Sequence, residues 1–504
     1  MFNLYRRKCD HTGKEILSIY RPEAPFPVYE GKVWYSDVWD PYQYGRKFDF
    51  SRPFFPQFKE LRDQVPHSAL HVEETSLENS SYVNNAVGAK NSYLVFGAGY
   101  VENCLYCFDL SNNKDCVDVL HTNNSELVYG CVDCEKCYQS RYLQDCQNCL
   151  DSAFLYNCAS CSNCFGCVNL KNKEFYWFNE PLGQNAYQAK LATVDLGSRE
   201  IVKTWALKFA EFQKRFPVPE FFGTGAENCT GDHINNSKDS QDSFDAHDLE
   251  NSRYCHRIFS TLKDSYDVYD CGGDERFYLT SNSGMKCQGL KFCHGVLNAV
   301  TDAEYCQFLH VNCHDLFGSV ALRNAEYCIL NKKYSKEEYF TLRDKIVAHM
   351  KETGEYGEFF PPSVAPYGYN ESMANYYFPL TKEQAIEEGF AWYEGEVRNQ
   401  SQTYVVPDNI KDVGDDILSQ VLLDAETGKN FKIIKQELEF YRKHRIPVPT
   451  ESFFTRNLGR DAQRSRDRLF PGTCGKCGKA IETAFDPALK RVVYCRTCFK
   501  EELL

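Results

Sequence analysis

Small residues beside short apolar runs recur at near-fixed intervals between Asn91 and Phe178. Successive members are 12, 12, 21, 12 and 12 residues apart, and Ser92, Cys116, Cys137 and Cys161 follow one another at 24, 21 and 24 residues. Such a return interval is typical of a solenoid, because one turn cannot bury its own apolar face and stacked neighbours must supply the core. The recurring residues are Ser92, Cys104, Cys116, Cys137, Cys149 and Cys161.

A similar spacing continues in the second half of the chain, where equivalent residues are 22 apart. They are Ser243, Ser265 and Cys287, then Cys271 with Cys293 and Cys306 with Cys328. Short β-branched or aromatic segments between Asn, Asp and Gly corners favour a parallel β-helix. We therefore expect a mainly β protein with α insertions: a duplicated parallel β-helix of about 22 residues per coil, flanked by zinc-ribbon-like modules.

The two halves of this body align without gaps at a constant offset. For example, Phe165 and Asn179 match Phe317 and Asn331. Each copy is followed by a helical pattern, at 186–216 and at 336–351, and Ser335 with Glu338 predicts a capping box for the second. The aromatic stretch 36–66 is expected to cap the first coil, since solenoid ends need covering.

The chain has 25 cysteines, and CASCSNCFGC at 158–167 allows two interpretations. Thiolates at this spacing bind zinc or iron–sulfur clusters, which would place a second metal on Cys158, Cys161, Cys164 and Cys167. However, Ser replaces Cys at equivalent repeat positions, and Ser cannot replace a soft thiolate ligand. The pattern therefore favours free thiols that fill the coil as small hydrophobes.

The C-terminal residues contain the most specific motif, which consists of the two cysteine pairs in CGKC and YCRTC. Two such pairs surround Zn²⁺ tetrahedrally and leave no position for water. We predict one structural zinc ion, held in a zinc ribbon by Cys474, Cys477, Cys495 and Cys498.

Two further segments are related to this ribbon but lack its full set of ligands. Aligning Cys9 with Cys474 also matches Gly13 with Gly478, and a third copy lies at 424–455. The remaining ligand positions are Thr12, Glu30 and Val33 in the first copy, and Asp424, Thr427, Ser452 and Thr455 in the third. We expect neither copy to hold zinc.

These patterns divide the 504 residues into six expected units. They are a degenerate zinc-ribbon-like module with an aromatic cap (1–66), a first β-helix half with a helical excursion (67–216), a second half with a closing helix (217–355), an irregular region and linker (356–414), a degenerate module with a basic helix and connector (415–468), and the zinc ribbon (469–504). No signal peptide and no apolar run of about 20 residues is present, so we expect a cytoplasmic protein without a membrane span.

Candidate catalytic residues are confined to DSQDSFDAHDLENS, which contains Asp242, Asp245, His247 and Asp248. Paired carboxylates would suit a carbohydrate-active β-helix enzyme with an acidic groove. Asp, Asn and Ser are also ordinary corner residues of a coil. The sequence does not decide whether the protein is an enzyme, and it favours a binding or scaffold role without an identifiable catalytic centre.

Charge is unevenly distributed along a chain whose net charge is −13. From Thr427 onward there are 17 Lys and Arg residues against 9 Asp and Glu residues. This basic tail allows three interpretations. It suggests a nucleic-acid or ribosome-associated factor if its arginines form an exposed stripe. It could also bind a protein partner, or dock on the acidic body of the same chain. The arginines are Arg456, Arg460, Arg464, Arg466 and Arg468. We favour a protein partner, since the acidic body would repel phosphate.

Several motifs together resemble a family of uncharacterised bacterial proteins from small-genome candidate phyla. The motifs are CGKCGKAIET, NCFGCVNLKNKEFYWFN and TGKNFKIIKQELEFYRKHRIPVP, and the resemblance covers nearly the whole chain. It implies zinc-ribbon modules around a β-helix. Members are sometimes called CaiB/BaiF proteins, a name that implies CoA transfer, but no CoA-transferase pattern or nucleophilic Asp is found in this sequence.

Overall fold

The computed structural model describes residues 3–395 and 404–502, and its body consists of two parallel β-solenoids. One solenoid is built on a seven-stranded sheet and the other on a ten-stranded sheet. The parallel β-solenoid expected from the sequence is therefore confirmed. Residues 396–403, within the predicted irregular region and linker, lie outside the described residues.

Coils of both solenoids are short. Residues stacked on neighbouring coils are mostly 12 positions apart in the first solenoid, as Ser92 and Ser80 show, and mostly 12 or 13 positions apart in the second. Leu120 pairs with Val132 on the next coil, and Val300 pairs with Cys313. Every third side chain points inward, so a coil has four inward positions, one at each corner of its cross-section. Examples are the buried Cys131, Cys134 and Cys137.

The residue before each inward side chain has a left-handed backbone conformation, as at Asp133, Asp145 and Asn157, where φ is 50°, 53° and 50°. Among residues with a side chain, Asn and Asp tolerate this conformation best because their short polar groups bond locally. This requirement explains why Asn or Asp so often precedes Cys or Ser in the sequence.

This geometry corrects the longer period predicted from the sequence. The length of two coils, less the three residues that separate neighbouring corners, is close to the predicted 22 residues. Residues 22 apart therefore lie at neighbouring corners and not in one column. Cys271 consequently lies below Ser283, whose backbone N–H donates to the Cys271 sulfur at 3.3 Å, and not below Cys293. Cys and Ser fill all four corners alike, which hid the shorter repeat.

Solenoid strands are short and follow one another in chain order. The first sheet contains Tyr82–Lys90, Tyr93–Glu102, Leu105–Ser111, Leu120–Asn123, Val132–Glu135, Arg141–Gln144 and Ala153–Tyr156. The second contains Gly231–Asn235, Ser243–His247, Arg253–Ile258, Tyr266–Cys271, Tyr278–Ser281, Gln288–Lys291, Val300–Glu304, Cys313–Phe317, Glu326–Ile329 and Lys332–Lys333, with Leu249–Glu250 and Leu262–Lys263 paired at another face.

The solenoid cysteines are buried donors. Cys158 and Cys161 each donate to the backbone carbonyl two residues earlier, at 3.4 and 3.5 Å. Burial raises the pKa of Cys134 to about 11, which keeps that thiol protonated. Among the described residues, 158–167 contains no group of three sulfurs within 4.8 Å of one another. These contacts fit thiols that fill the coil as small hydrophobes.

Both solenoids end in the same way. The strand Tyr176–Trp177 pairs with Glu180–Pro181 after the first, as Glu326–Ile329 pairs with Lys332–Lys333 after the second. Asn179 exchanges two hydrogen bonds with the backbone of Val168, and Asn331 does so with Val320. These equivalent bonds lie at the constant offset that aligns the two halves in the sequence. The helices that follow are Gln184–Leu191 and Arg199–Gln213 in the first copy and Lys336–Glu352, with its capping box, in the second.

The flanking segments cover the solenoids. Phe54, in the helix Phe54–Arg62, packs against Tyr305 and Phe317, so the N-terminal aromatic segment covers the second solenoid and not the first coil as expected. Phe453 packs against Phe96 of the first solenoid. The flanking strands are Tyr5–Lys8, Glu15–Ser18, Val28–Tyr29, His67–Ser68, Val218–Pro219, Leu422–Leu423, Asn430–Phe431, Phe470–Thr473, Ala480–Thr483 and Val493–Tyr494, and the other helices are Gly31–Trp34, Met373–Tyr377, Lys382–Glu387, Lys435–His444, Phe453–Asp461 and Arg496–Glu502.

Candidate metal centre

Four cysteine sulfurs converge near the C-terminus. One sulfur from each of Cys474, Cys477, Cys495 and Cys498 lies within 4.8 Å of the others, and Cys477 Sγ is 3.9 Å from Cys495 Sγ. Tetrahedral Zn²⁺ with bonds of about 2.3 Å separates its sulfurs by roughly 3.8 Å. The donor set and the spacing therefore fit one zinc ion with four protein ligands.

Local structure positions each sulfur. The antiparallel strands Phe470–Thr473 and Ala480–Thr483 flank the first cysteine pair. The turn between them closes through bonds from the Cys474 N–H to the Lys479 carbonyl and from the Gly478 N–H to the Cys474 carbonyl. Cys498 lies in the helix Arg496–Glu502. This helix refines the predicted ribbon into a finger whose second cysteine pair opens a helix.

The finger docks where the two solenoids meet. Its strand Val493–Tyr494 pairs in parallel with Val218–Pro219, which leads into the second solenoid. The Arg496 guanidinium lies 3.7 Å from the ring centre of Phe221. Arg491 lies over Tyr156 of the first solenoid at 5.5 Å. One small metal-bound unit thus contacts both halves of the body.

The two degenerate modules keep the backbone of this site without its full set of ligands. The N–H of Cys9 donates to the Lys14 carbonyl at 2.8 Å, and the N–H of Asp424 donates to the Lys429 carbonyl at 2.8 Å, as in the zinc finger. Three contacts at the first ligand position are also equivalent. In the zinc finger the Cys495 N–H donates to Cys474 Sγ, and in the first module the Glu30 N–H donates to Cys9 Sγ. In the middle module the Ser452 N–H donates to Asp424 Oδ2. The predicted relationship among the three modules is therefore visible in their hydrogen bonds.

In the middle module a carboxylate takes the place of the metal. Asp424 accepts from the Thr427 N–H at 2.9 Å, from the Ser452 N–H at 2.7 Å and from the Thr455 hydroxyl at 2.6 Å. Burial alone would raise the pKa of Asp424, but these bonds outweigh it and lower that pKa below its usual value. One ionised carboxylate thereby connects all four former ligand positions.

Because that scaffold is retained, cysteines at its four positions should restore metal binding. We expect the fourfold variant Asp424→Cys, Thr427→Cys, Ser452→Cys, Thr455→Cys to bind one more Zn²⁺ per chain than the natural protein, measured by metal analysis after dialysis. A matched variant with Ser at Asp424 and Cys at the other three positions has only three thiolates and should lose the extra ion on dialysis. Equal zinc content in the fourfold variant and the natural protein would contradict the structural equivalence.

The arginine-rich connector does not form an exposed stripe. Arg456 and Arg460 pair with the buried Asp118, at 2.9 and 3.2 Å. Arg464 is also buried and donates to Asp133 at 2.8 Å and to Asp245 at 2.5 Å. Arg466 and Arg468 are exposed. Three of the five arginines named as a nucleic-acid contact thus dock the tail on the acidic body.

The Asp-rich candidates do not come together in space. Asp242, Asp245 and Asp248 occupy three successive left-handed corners of the coil. Asp242 pairs with Arg253 at 2.9 Å, whereas His247 and Asp248 are exposed. Only Asp245 enters a cluster of other charged groups. A catalytic role for this set remains a prediction from sequence.

Asp245 lies in one of two columns of charged corner residues that face each other, one column from each solenoid. We call this pair of columns the seam. Its members are Asp109, His121, Asp133 and Asp145 of the first solenoid, and His233, Asp245, Arg257 and Asp270 of the second. Within each column the members come from successive coils, so each lies above the last. Ion pairs join the columns, such as Arg257 with Asp109 at 3.1 Å and His233 with Asp145 at 2.9 Å. Sequence reasoning missed the seam, although the even spacing of its first column was available.

Electrostatics in the seam are strongly coupled. Burial raises the pKa of Asp145 to about 6, against the opposing effect of His233. Burial lowers the pKa of His233, but the carboxylates of Asp232, Asp133 and Asp145 outweigh it and raise that pKa well above its usual value. The His233 imidazole is therefore a cation held by three aspartates.

Comparison with known proteins identifies the C-terminal module. Residues 468–502 match a family described as a probable treble clef zinc finger. No curated protein matches the chain. Among the described residues, no helix has the length and apolar character needed to cross a bilayer. Together with the four converging sulfurs, the match establishes a structural zinc site of the treble clef type, attached to a parallel β-solenoid body.

Proposed function

We propose that this protein is a non-catalytic scaffold that recruits a protein partner to the outer face of its second solenoid. The observation that carries the proposal is a ladder of aromatic rings on that face. Tyr266 and Tyr278 occupy one position on successive coils, with ring centres 6.0 Å apart. Tyr254 lies next to Arg253, the residue that pairs with Tyr266 on the preceding coil, and its ring centre is 5.2 Å from that of Tyr266. Tyr266 and Tyr278 are exposed.

Tyrosine is enriched in protein interfaces because its large ring is rigid and its hydroxyl is polar. The ladder lies among charges of both signs, including Arg253, whose guanidinium is 4.6 Å from the Tyr254 ring. A mixed rim around an aromatic centre is typical of such contact surfaces. The Tyr254 and Tyr266 rings are perpendicular, at 89°, so they do not offer the flat platform on which a sugar ring stacks. This geometry favours a protein over a glycan.

The C-terminal tail supports a protein partner as well. Arg456, Arg460 and Arg464 are paired with aspartates of the body, so they are unavailable for phosphate contacts. The zinc finger is part of the same internal assembly, since its strand pairs with Val218–Pro219. We assign it the role of a clamp that fixes the two solenoids relative to each other.

The proposal includes the six-part division of the chain, a cytoplasmic location and membership of the candidate-phyla family. Location is supported by the 21 cysteines outside the zinc site, none of which forms a disulfide and which a reducing compartment keeps as thiols. Family membership is supported by the zinc finger and the two degenerate modules equivalent to it, which lack the full set of zinc ligands.

The test is affinity capture from native lysate, with and without nuclease, comparing two single variants. We expect a partner that survives nuclease, is lost with Tyr266→Ala and is retained with Tyr100→Ala. Tyr100 is a matched control because it is an exposed tyrosine on the first solenoid. Loss of all captured material on nuclease treatment, or equal loss with both variants, would overturn the proposal.

A further inference from the structure

Three seam residues bring potential metal ligands close together. One ring nitrogen of His121 and one carboxylate oxygen from each of Asp133 and Asp245 lie within 4.8 Å of one another. Asp133 and His121 come from adjacent coils of the first solenoid, and Asp245 comes from the second. The site therefore exists only where the two solenoids face each other.

Two atoms of this group have no protein partner. His121 Nε2 and Asp245 Oδ2 are buried and form no hydrogen bond with any residue in 3–395 or 404–502. The His121 side chain is only 10% exposed. A buried nitrogen and a buried carboxylate oxygen without partners lose the hydrogen bonds that water would give them, which is unfavourable. Two such atoms in one small group indicate a ligand that is not part of the chain.

The contact made by the other nitrogen of His121 indicates that this ligand is a cation. His121 Nδ1 is 2.9 Å from Asp109 Oδ2. A carboxylate that accepts from one imidazole nitrogen fixes the tautomer whose second nitrogen has a free lone pair, and this arrangement is characteristic of metal-binding histidines. Asp109 thus prepares His121 Nε2 to bind a cation.

Charge in and around the seam also favours a bound cation. Six carboxylates, those of Asp109, Asp133, Asp145, Asp232, Asp245 and Asp270, face two guanidinium groups, those of Arg257 and Arg464. The remaining four negative charges exceed the two positive charges that His121 and His233 could carry at most. Uncompensated buried charge is costly, and a divalent ion would remove two of these charges.

Arg464 leaves room for such an ion. It donates to Asp245 Oδ1, while Oδ2 of the same carboxylate stays free. It also donates to both oxygens of Asp133, each of which has a second lone pair. The neighbouring trio of Asp133, Asp145 and His233 is a poorer site, because both nitrogens of His233 already face carboxylates.

We propose that the seam binds one divalent first-row transition-metal ion through His121, Asp133 and Asp245, and that this ion joins the two solenoids. This site is separate from the treble clef zinc and goes beyond the proposed scaffold function. One imidazole and two carboxylates form a harder ligand set than four thiolates, so Mn²⁺ should discriminate between the two sites.

The test uses the full chain with its finger loaded with one Zn²⁺, titrated with Mn²⁺ alone and followed by electron paramagnetic resonance of free and bound Mn²⁺. We expect one bound Mn²⁺ per chain. Asp245→Asn and His121→Gln should each weaken binding at least 10-fold, and Asp109→Asn should weaken it about 10- to 100-fold through His121. Asp242→Asn is the matched control, since Asp242 lies one corner away and pairs with Arg253, and should leave binding unchanged.

A second measurement keeps the proposal falsifiable if a seam variant fails to fold. Bound Mn²⁺ in the natural protein should show magnetic coupling to one imidazole nitrogen, which needs no variant. Absence of bound Mn²⁺, absence of that coupling, or equal weakening by Asp242→Asn would each overturn the proposal.

Discussion

Replacing Arg456 with Ala is expected to lower the free energy of unfolding by about 3–5 kcal/mol, because it leaves a buried carboxylate without its principal partner. Arg456 Nε donates to both oxygens of Asp118, at 3.1 and 2.9 Å. The Asp118 side chain is only 1% exposed. Arg456 also donates to the Glu451 carbonyl at 2.7 Å and lies over the Tyr106 ring. Urea-induced unfolding monitored by far-UV circular dichroism measures the loss.

Two further variants separate this explanation from a general effect of losing arginine. Arg253→Ala removes an arginine whose ion pair with Asp242 is exposed, and should change stability by no more than about 0.5 kcal/mol. Arg456→Lys keeps the charge but loses the planar donor set, so we expect it to recover only part of the loss. Similar losses for Arg456→Ala and Arg253→Ala would contradict the role assigned to the buried pair.

This ion pair also shows where sequence reasoning had to stop. The tail is visibly basic and the body visibly acidic, so docking between them was one of the open alternatives. Which arginines turn inward depends on aspartates in a distant part of the chain, since Arg456 and Asp118 are 338 positions apart. No local pattern contains that information, and an exposed basic stripe fits the same residues equally well.

The solenoid itself was predictable because its cause is local. A left-handed corner every third residue favours Asn, Asp or Gly, and the following inward position favours a small or apolar side chain. Both requirements leave a pattern in the sequence. The length of the coil was harder to find, since Cys and Ser occupy every corner and a longer spacing matches them as well as the true one does. Pairs such as Leu120 with Val132 settle it.

The seam was missed for the opposite reason. Its first column, from Asp109 to Asp145, repeats a position but not a residue type, because His121 interrupts the aspartates. A search for like residues at fixed steps passes over it. The zinc finger and its two degenerate copies were found because glycines such as Gly13 and Gly478, with φ of 72° and 75°, are required by the turn itself. Turn chemistry persists in a module after its metal ligands have gone.

Removing zinc should have the largest effect on the protein, and the effect should spread beyond the finger. Structural zinc contributes about 10–16 kcal/mol of apparent binding free energy in small fingers, which rarely fold without it. We expect a chelator, or Cys474→Ser, to unfold residues 468–502 and to expose the chain around Val218, whose N–H donates to the Val492 carbonyl. Limited proteolysis with mass spectrometry should then show new cleavage at both places.

Cys137→Ser is the matched control for this prediction, because it also removes one thiol. Cys137 lies above Ser125 in the solenoid, and its N–H donates to the Ser125 hydroxyl at 3.0 Å, so serine already fits this column. The control should keep its zinc and its resistance to protease. The solenoids have their own cores of stacked thiols and aliphatic side chains, so they should retain their β-sheet circular dichroism after zinc is lost. If cleavage stayed within the finger and spared the segment around Val218, the zinc would stabilise its own module alone, and the clamp between the solenoids would have to be sought in the ion pairs of the seam.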